Sequence, residues 1–308
     1  MRIAVMAAGA VGGYYGARMA AAGHDVFFIA RGANLDAMRK DGLTVESVHG
    51  DLHLPKVNVT DDPKGVGPVD IVLFAVKLWD TEQAGERTRP LVGPGTRVIT
   101  LQNGVDSVER LSSILPAECV IGGTAAIAST IAAPGLLRQT SSFAAVRFGR
   151  ADGKADAVLQ AFEAAAKAAK LDVAIAPDIG REIWNKFILL AATSGATATL
   201  RSTVGPIVAD PELRAFLRAL MDETCAVGRA KGANLEPDIV DKRMNYVLTH
   251  MHATMRASMA VDLERGNRLE LDWLSGKVQE LGRRYKIPTP ASDIVCLVLK
   301  LHRMGSAR

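Results

Sequence analysis

Residues 1–31, MRIAVMAAGAVGGYYGARMAAAGHDVFFIAR, decide the fold. The apolar run at residues 2–6 predicts a strand, the small residues after it predict a turn and a helix, and the apolar run at residues 25–30 predicts a second strand. This order is typical of a dinucleotide-binding βαβ unit, because the first N–H groups and the positive end of the helix receive a pyrophosphate.

The turn departs from the full G-x-G-x-x-G fingerprint at one position, where Ala7 replaces the first glycine. Its position between two predicted strands at a helix-length interval still favours nucleotide binding. The alternative is a glycine-containing turn that only closes a βα unit. On the first interpretation the cofactor contacts come from the turn residues Ala7, Ala8, Gly9, Ala10, Val11 and Gly12.

Arg31 follows the second predicted strand, at the position where NAD-specific sites usually carry an acidic residue. A guanidinium there suits a ribose 2′-phosphate, whereas a carboxylate would accept hydrogen bonds from the 2′-hydroxyl. The next acidic residues, Asp36 and Asp41, fall in the following predicted helix and at its end. The sequence therefore favours NADPH over NADH, and the alternative is a solvated charge at a strand end.

Composition describes an ordinary globular protein of about two domains. The 308 residues are 48% hydrophobic and 23% charged, and the net charge is +4. The basic residues are scattered, which argues against a nucleic-acid surface. The longest uncharged run, residues 119–137, contains glycines and a proline and does not read as a membrane helix. Three widely spaced cysteines fit a reducing cytoplasm.

The pattern along the chain changes near Pro177. Before it, strand-like runs alternate with helical or polar intervals, and after it only helices are predicted, which gives an α/β domain over residues 1–176 and an all-helical domain over residues 177–308. The sheet is predicted to be parallel with a later antiparallel extension. Its further elements are strands at 69–76, 97–101 and 120–121, two β-rich stretches up to 149, a helix at 155–170 and a strand at 171–176.

Polar side chains follow two of these predicted strands. Lys77 comes after one, and Asn103 with its neighbours Gln102 and Gly104 comes after another. Ligands of open α/β sheets bind outside the carboxyl ends of the strands, so both residues are candidates for contacts with cofactor or substrate. The alternatives are a turn at Asn103 and a solvated strand end at Lys77.

Lys186 lies in an otherwise apolar predicted helix, with no further charge before Arg201. A lysine in such a segment can serve as a general acid that protonates a ketone oxygen as hydride arrives. The alternative is an i,i+4 ion pair with Glu182, which contributes only a few tenths of a kcal/mol.

Later in the chain, Ser258 falls in a helical segment and Glu270 is predicted to begin a long helix. Asn267 and Glu270 have the spacing of a capping box, so helix capping is the alternative to a role of Glu270 in the site. His250 and His252 point to different faces of a helix, so no metal site is predicted.

Taken together, these motifs resemble the ketopantoate reductase (2-dehydropantoate 2-reductase) family over essentially the whole chain. The resemblance implies a Rossmann-type domain followed by an all-helical domain, and NADPH-dependent reduction of a small-molecule 2-oxo acid in pantothenate biosynthesis. It implies Lys186 as general acid and Glu270 as a catalytic-site residue that holds the substrate together with Ser258. It further implies cofactor contacts at Arg31, Lys77 and Asn103, and substrate contacts at Asn103 and Ser194. A homodimer is compatible with it, with no nucleic-acid or membrane partner.

The family commonly carries asparagines four and eight residues after the lysine, where this chain has Leu190 and Ser194. A pocket that loses a polar partner binds a hydroxyl poorly, so reduction of a more apolar 2-oxo acid is an alternative to ketopantoate reduction. A second alternative is a redox sensor that binds NADPH without turnover, although such a protein needs neither Lys186 nor Glu270.

Overall fold

Strand β1, Arg2–Met6, lies in the middle of a parallel sheet. It pairs on one side with β2, Asp25–Ile29, and on the other with β6, Ile71–Phe74. The last four residues of β1 are fully or almost fully buried, which explains why the strand is a continuous apolar run. Helix α1, Ala10–Ala21, connects β1 to β2, so the predicted βαβ beginning is confirmed. The computed structural model describes residues 1–306.

The chain divides into two compact units, Met1–Ile179 and a second that begins at Gly180. The first unit contains a ten-stranded sheet in the order β4-β3-β9-β8-β7-β6-β1-β2-β5, with β10 paired to β9. Its remaining strands are β3 Leu43–Ser47, β4 Leu52–Leu54, β5 Asn58–Thr60, β7 Arg97–Thr100, β8 Val120–Ala133, β9 Leu136–Gly149 and β10 Asp172–Ile175.

The antiparallel extension of the sheet is the β8–β9 hairpin. The first residues of β8 continue the parallel sheet against β7, and the strand then pairs antiparallel with β9. Strand β9 in turn pairs in parallel with β3 and β10. The strands β3, β4 and β5 are absent from the sequence prediction. They are short, and only β3 contains buried residues, so they carry a weak apolar signal.

The helices of the first unit follow the predicted pattern with shorter bounds. Helix α5, for example, spans Ala157–Ala168 because the carboxylate of Asp156 accepts hydrogen bonds from the N–H groups of Val158 and Leu159 and caps it. The guanidinium of Arg97, 2.6 Å from the same carboxylate, fixes this cap to β7. The other helices are α2 Gly32–Asp41, α3 Thr81–Thr88 and α4 Ser107–Ser112.

The second unit is helical, and residues 180–306 contain no strand, as predicted. Helix α6, Ile179–Thr199, is apolar because most of its side chains are buried, with the rings of Trp184 and Phe187 packed edge to face at 5.6 Å. No helix of residues 1–306 has the length and apolar character needed to span a bilayer. The remaining helices are α7 Val204–Ala209, α8 Pro211–Ala230, α9 Ile239–His250, α10 Ser258–Glu264, α11 Ser275–Tyr285 and α12 Pro290–Leu299.

Candidate functional site

The turn between β1 and α1 has a backbone shape that usually needs glycine. Ala7 has a φ of +65°, in the left-handed region that costs a residue with a Cβ about 1 kcal/mol. Two hydrogen bonds hold the turn in this shape, from the N–H of Ala8 to the carbonyl of Ile29 and from the N–H of Gly9 to the carbonyl of Ala7. The departure from the fingerprint therefore leaves the left-handed turn in place.

The two glycines of the turn have different roles. A Cβ at Gly12 would lie 2.8 Å from Val5 Cγ1 and 3.1 Å from Ala75 Cβ, so helix and sheet can pack this closely only with glycine there. A Cβ at Gly9 would meet no atom closer than 3.9 Å, so packing within the chain does not require that glycine. The open space at Gly9 leaves room for a ligand to approach the protein backbone at the start of α1.

The start of α1 is suited to an anion. No side chain caps Gly9, and the first turn of the helix contains no acidic residue. The N–H groups and the positive end of the helix dipole are thus not neutralised by the chain's own carboxylates. Together with the open space at Gly9, this arrangement fits the pyrophosphate of a dinucleotide.

Three candidate side chains follow the carboxyl ends of neighbouring parallel strands. Arg31 follows β2, Lys77 follows β6 and Asn103 follows β7, and these strands with β1 are adjacent in the sheet. Lys77 is exposed, with its Nζ 5.4 Å from the centre of the Trp79 ring, and Asn103 is half-buried. The structure therefore brings these three residues and the glycine turn together at the carboxyl end of the parallel strands.

Gln102 connects the loops that carry Lys77 and Asn103. Its buried side-chain amide donates to the carbonyl of Val76 at 3.2 Å and to Thr81 Oγ1 at 2.8 Å, while its Oε1 accepts from Thr100 Oγ1 at 3.1 Å. The sequence interpretation treats Gln102 only as a neighbour of Asn103. The sequence feature that could have identified Gln102 is its position directly after a buried strand, where a polar side chain needs hydrogen-bond partners.

Asp80 is a second residue that the sequence interpretation does not include. Its carboxylate accepts a hydrogen bond from Arg31 Nη2 at 3.0 Å, and the two side chains are 28% and 72% exposed. Because β1 lies between β2 and β6, this ion pair extends across the carboxyl end of β1. Arg31, the residue predicted to contact a ribose 2′-phosphate, therefore already has a carboxylate partner within the chain.

Lys186 and Glu270 are electrostatically coupled in the second unit. Burial lowers the pKa of the Lys186 ammonium from 10.5 to about 8, and the negative charge of Glu270 opposes part of that shift. Glu270 is only 6% exposed. A lysine with this pKa keeps its proton at neutral pH and can release it, which is the behaviour required of a general acid.

The surroundings of Glu270 differ from the sequence prediction. Asn267 does not begin a helix, because its N–H donates to the carbonyl of Asp262 at 2.8 Å and its amide donates to Asp262 Oδ1 at 3.1 Å. Glu270 is followed by a single 3-10 turn, Leu271–Trp273, and α11 begins only at Ser275. The prediction that the long helix begins at Glu270 is therefore wrong, because α11 begins later. The capping box, which was the alternative to a role in the site, does not fit either, since the N–H of Asn267 that it would satisfy is already bonded to Asp262.

The predicted substrate residues lie in different environments. Ser258 is exposed at the first position of α10, and the N–H of Ala257 before it donates to Thr197 Oγ1 of α6 at 3.4 Å. Ser194 is 0% exposed, and its Oγ has no hydrogen-bond partner among residues 1–306. Leu190, on the same helix, is half-buried. Residues 1–306 contain no group of three or more His, Cys, Asp or Glu side chains that could hold a metal ion.

Comparison with known proteins gives a consistent result over both units. The family described as "Ketopantoate reductase PanE/ApbA" matches residues 3–153, and its C-terminal counterpart, "Ketopantoate reductase PanE/ApbA C terminal", matches residues 178–303. A 2-dehydropantoate 2-reductase of Mesorhizobium japonicum is 33% identical over 97% of both chains. An uncharacterized oxidoreductase of Bacillus subtilis, YkpB, is 30% identical over 98% of this chain and 99% of that protein.

A solved structure extends this likeness to the fold. The crystal structure of a PanE/ApbA family ketopantoate reductase from Ralstonia eutropha has a TM-score of 0.89 and 32% sequence identity, and the match covers 98% of each chain. The parallel-sheet domain and the helical domain of this chain are those of the matched fold.

Proposed function

Because the chain belongs to the ketopantoate reductase family and is a 2-dehydropantoate 2-reductase-like oxidoreductase, we propose that it reduces ketopantoate to pantoate with NADPH. The observation that carries the proposal is Lys186, whose pKa burial lowers to about 8 against the opposing charge of Glu270. The product would supply pantothenate biosynthesis in the cytoplasm.

The cofactor is proposed to lie along the carboxyl edge of the parallel sheet. The turn from Ala7 to Gly12 would hold its pyrophosphate and Arg31 its 2′-phosphate, with Lys77 and Asn103 beside the nicotinamide. The uncapped start of α1, the space at Gly9 and the exposed guanidinium of Arg31 support this assignment. When bound, the reduced nicotinamide supplies a hydride to a carbonyl carbon.

Lys186 is proposed to complete the reduction at the other end of the carbonyl bond. One N–H bond of its ammonium breaks, the proton passes to the carbonyl oxygen, and the resulting hydroxyl group belongs to the 2-hydroxy acid. The amine then recovers a proton from solvent. Glu270 favours the ammonium form before transfer, since its charge raises the pKa of Lys186. Ser258 and Asn103 are proposed to donate hydrogen bonds to the substrate, whereas the predicted substrate residue Ser194 is 0% exposed and is assigned no contact.

The direct test is turnover by the purified protein with NADPH and ketopantoate, followed at the absorbance of the reduced nicotinamide. We expect steady oxidation of NADPH with ketopantoate and formation of pantoate in equal amount. Binding of NADPH without turnover of any 2-oxo acid in a panel would overturn the proposed reaction and leave a redox sensor.

Leu190 favours a second candidate function, the reduction of a 2-oxo acid with a more apolar side chain. This half-buried leucine lies one helical turn from Lys186, and the hydroxyl of Ser194 is enclosed. The comparison that separates the candidates is kcat/KM for ketopantoate against its deoxy analogue, 2-oxo-3,3-dimethylbutanoate. A strong preference for ketopantoate supports the proposed substrate, whereas equal or reversed preference supports the broader activity.

The cofactor assignment has its own test. Arg31→Ala should weaken the binding of NADPH far more than that of NADH, because only NADPH carries the 2′-phosphate. Titration calorimetry of both cofactors against wild type and variant measures this difference. Equal binding of both cofactors by the wild type, or an equal loss in the variant, would contradict the assignment of Arg31.

A further inference from the structure

The ion pair between Arg31 and Asp80 lies across the end of β1, where the dinucleotide-binding turn begins. Arg31 belongs to the end of β2, and Asp80 belongs to the loop after β6. The loop is held in place, because the N–H of Asp80 donates to the carbonyl of Lys77 and the amide of Gln102 donates to Val76 and Thr81. The carboxylate is thus presented to Arg31 from a fixed backbone.

We propose that Asp80 is a specificity-determining residue that competes with the 2′-phosphate of NADPH for Arg31 and so narrows the preference of this chain for NADPH over NADH. The proposal rests on the proposed function, specifically on binding of a nicotinamide dinucleotide at the turn.

Charge gives the direction of the effect. The guanidinium of Arg31 can pair with Asp80 or with a phosphate dianion, and recruiting it to the phosphate costs the existing pair or leaves a carboxylate beside the new anion. NADH, whose ribose has a 2′-hydroxyl, meets neither penalty, and a carboxylate can accept a hydrogen bond from that hydroxyl. Asp80 therefore disfavours only the phosphorylated cofactor.

The size of the effect follows from the exposure of the pair. Arg31 is 72% exposed and Asp80 is 28% exposed, so solvent screens their attraction. Removal of the Asp80 charge should accordingly tighten NADPH binding by about two- to fivefold. The gain should shrink at high ionic strength, where the Debye length is only a few ångströms.

The experiment compares dissociation constants of NADPH and NADH for the wild type, Asp80→Asn, Asp80→Ala and Asp80→Glu, by calorimetric titration at low and high salt. The asparagine and alanine variants should bind NADPH more tightly with NADH unchanged or weakened, and the glutamate variant should discriminate as the wild type does. Asp25→Asn is the matched control, because Asp25 pairs with Arg2 at the opposite end of β2. That variant should leave both dissociation constants unchanged.

Weaker binding of NADPH by Asp80→Asn and Asp80→Ala would show that the carboxylate holds Arg31 ready for the phosphate, which overturns the proposal. Equal changes for the two cofactors, or no change, would overturn it as well. Failure of the wild type to bind either cofactor would instead refute the proposed function, so the two failures can be told apart.

Discussion

Substitution of Lys186 by methionine should make the protein more stable at neutral pH while it removes most of the activity. Methionine has nearly the length of lysine and no charge, so it imitates the neutral amine in the same surroundings. Burial lowers the pKa of Lys186 from 10.5 to about 8, and this lowering already includes the opposing attraction of Glu270. The shift corresponds to about 3 kcal/mol by which the fold disfavours the charged form.

The pH dependence of the effect has a definite sign. The folded-state pKa lies below the unfolded-state value, so between pH 8 and pH 10.5 the unfolded chain binds more protons at this residue than the folded chain does. The contribution of Lys186 to stability is least favourable below about pH 8 and improves as the pH rises through this window. The advantage of the methionine variant should therefore be full at pH 7 and decline towards pH 10.

Urea denaturation of wild type and Lys186→Met at pH 7 and pH 10 measures this difference. Lys242→Met is the control, because Lys242 lies on the surface of α9 with its ammonium paired to Glu236 and Asp238. Turnover of Lys186→Met should fall by about 100-fold or more, the usual scale for a lost proton donor. A variant that is less stable than wild type at pH 7, or a stability difference that does not change with pH, would refute the reasoning and favour a stabilising ion pair such as that with Glu182.

Glu270→Gln should lower the pKa of Lys186 further, so the basic limb of the kcat/KM profile should move to lower pH; an unmoved limb would exclude the coupling. Ala7→Gly should stabilise the fold by about 0.5–1 kcal/mol in chemical denaturation, since it relieves the φ of +65°, whereas Ala8→Gly should not. Glu223→Gln should destabilise the fold by about 1–3 kcal/mol, because both carboxylate oxygens accept hydrogen bonds from N–H groups at the start of α12 and the amide offers one acceptor only; unchanged thermal unfolding would contradict this.

The hydrophobic pattern of the sequence was sufficient to predict those strands and helices whose own residues are mostly buried. Strand β1 and helix α6 are examples, since their apolar runs reflect the burial of most of their side chains. Strands β4 and β5 could not be predicted in this way. They have three residues each, too few to show an apolar pattern. Strand β4 pairs with its sequence neighbour β3 in a short antiparallel hairpin, and β5 pairs with β2, a partner that is distant in sequence.

The same distinction applies to the candidate site. Lys186 and Arg31 could be selected because a charge in an apolar helix and an arginine after a strand are local anomalies. Asp80 has no such signal, since its importance depends on the order β6-β1-β2, which brings it to Arg31. The start of the helix at Glu270 was predicted wrongly for a related reason: Asn267 bonds to Asp262, whereas the sequence spacing alone was equally compatible with a capping box and with a role in the site.

Ala7 has the left-handed backbone conformation of a nucleotide-binding turn although it is not a glycine. A left-handed alanine costs about 1 kcal/mol, and relaxation of Ala7 to an ordinary conformation would remove that cost. It would also break the hydrogen bonds that the turn makes through Ala8 and Gly9, and it would move the open position at Gly9 away from the start of α1. The surrounding bonds therefore impose the strained shape. Strain that persists at a residue where glycine would remove it supports a turn whose geometry serves a ligand.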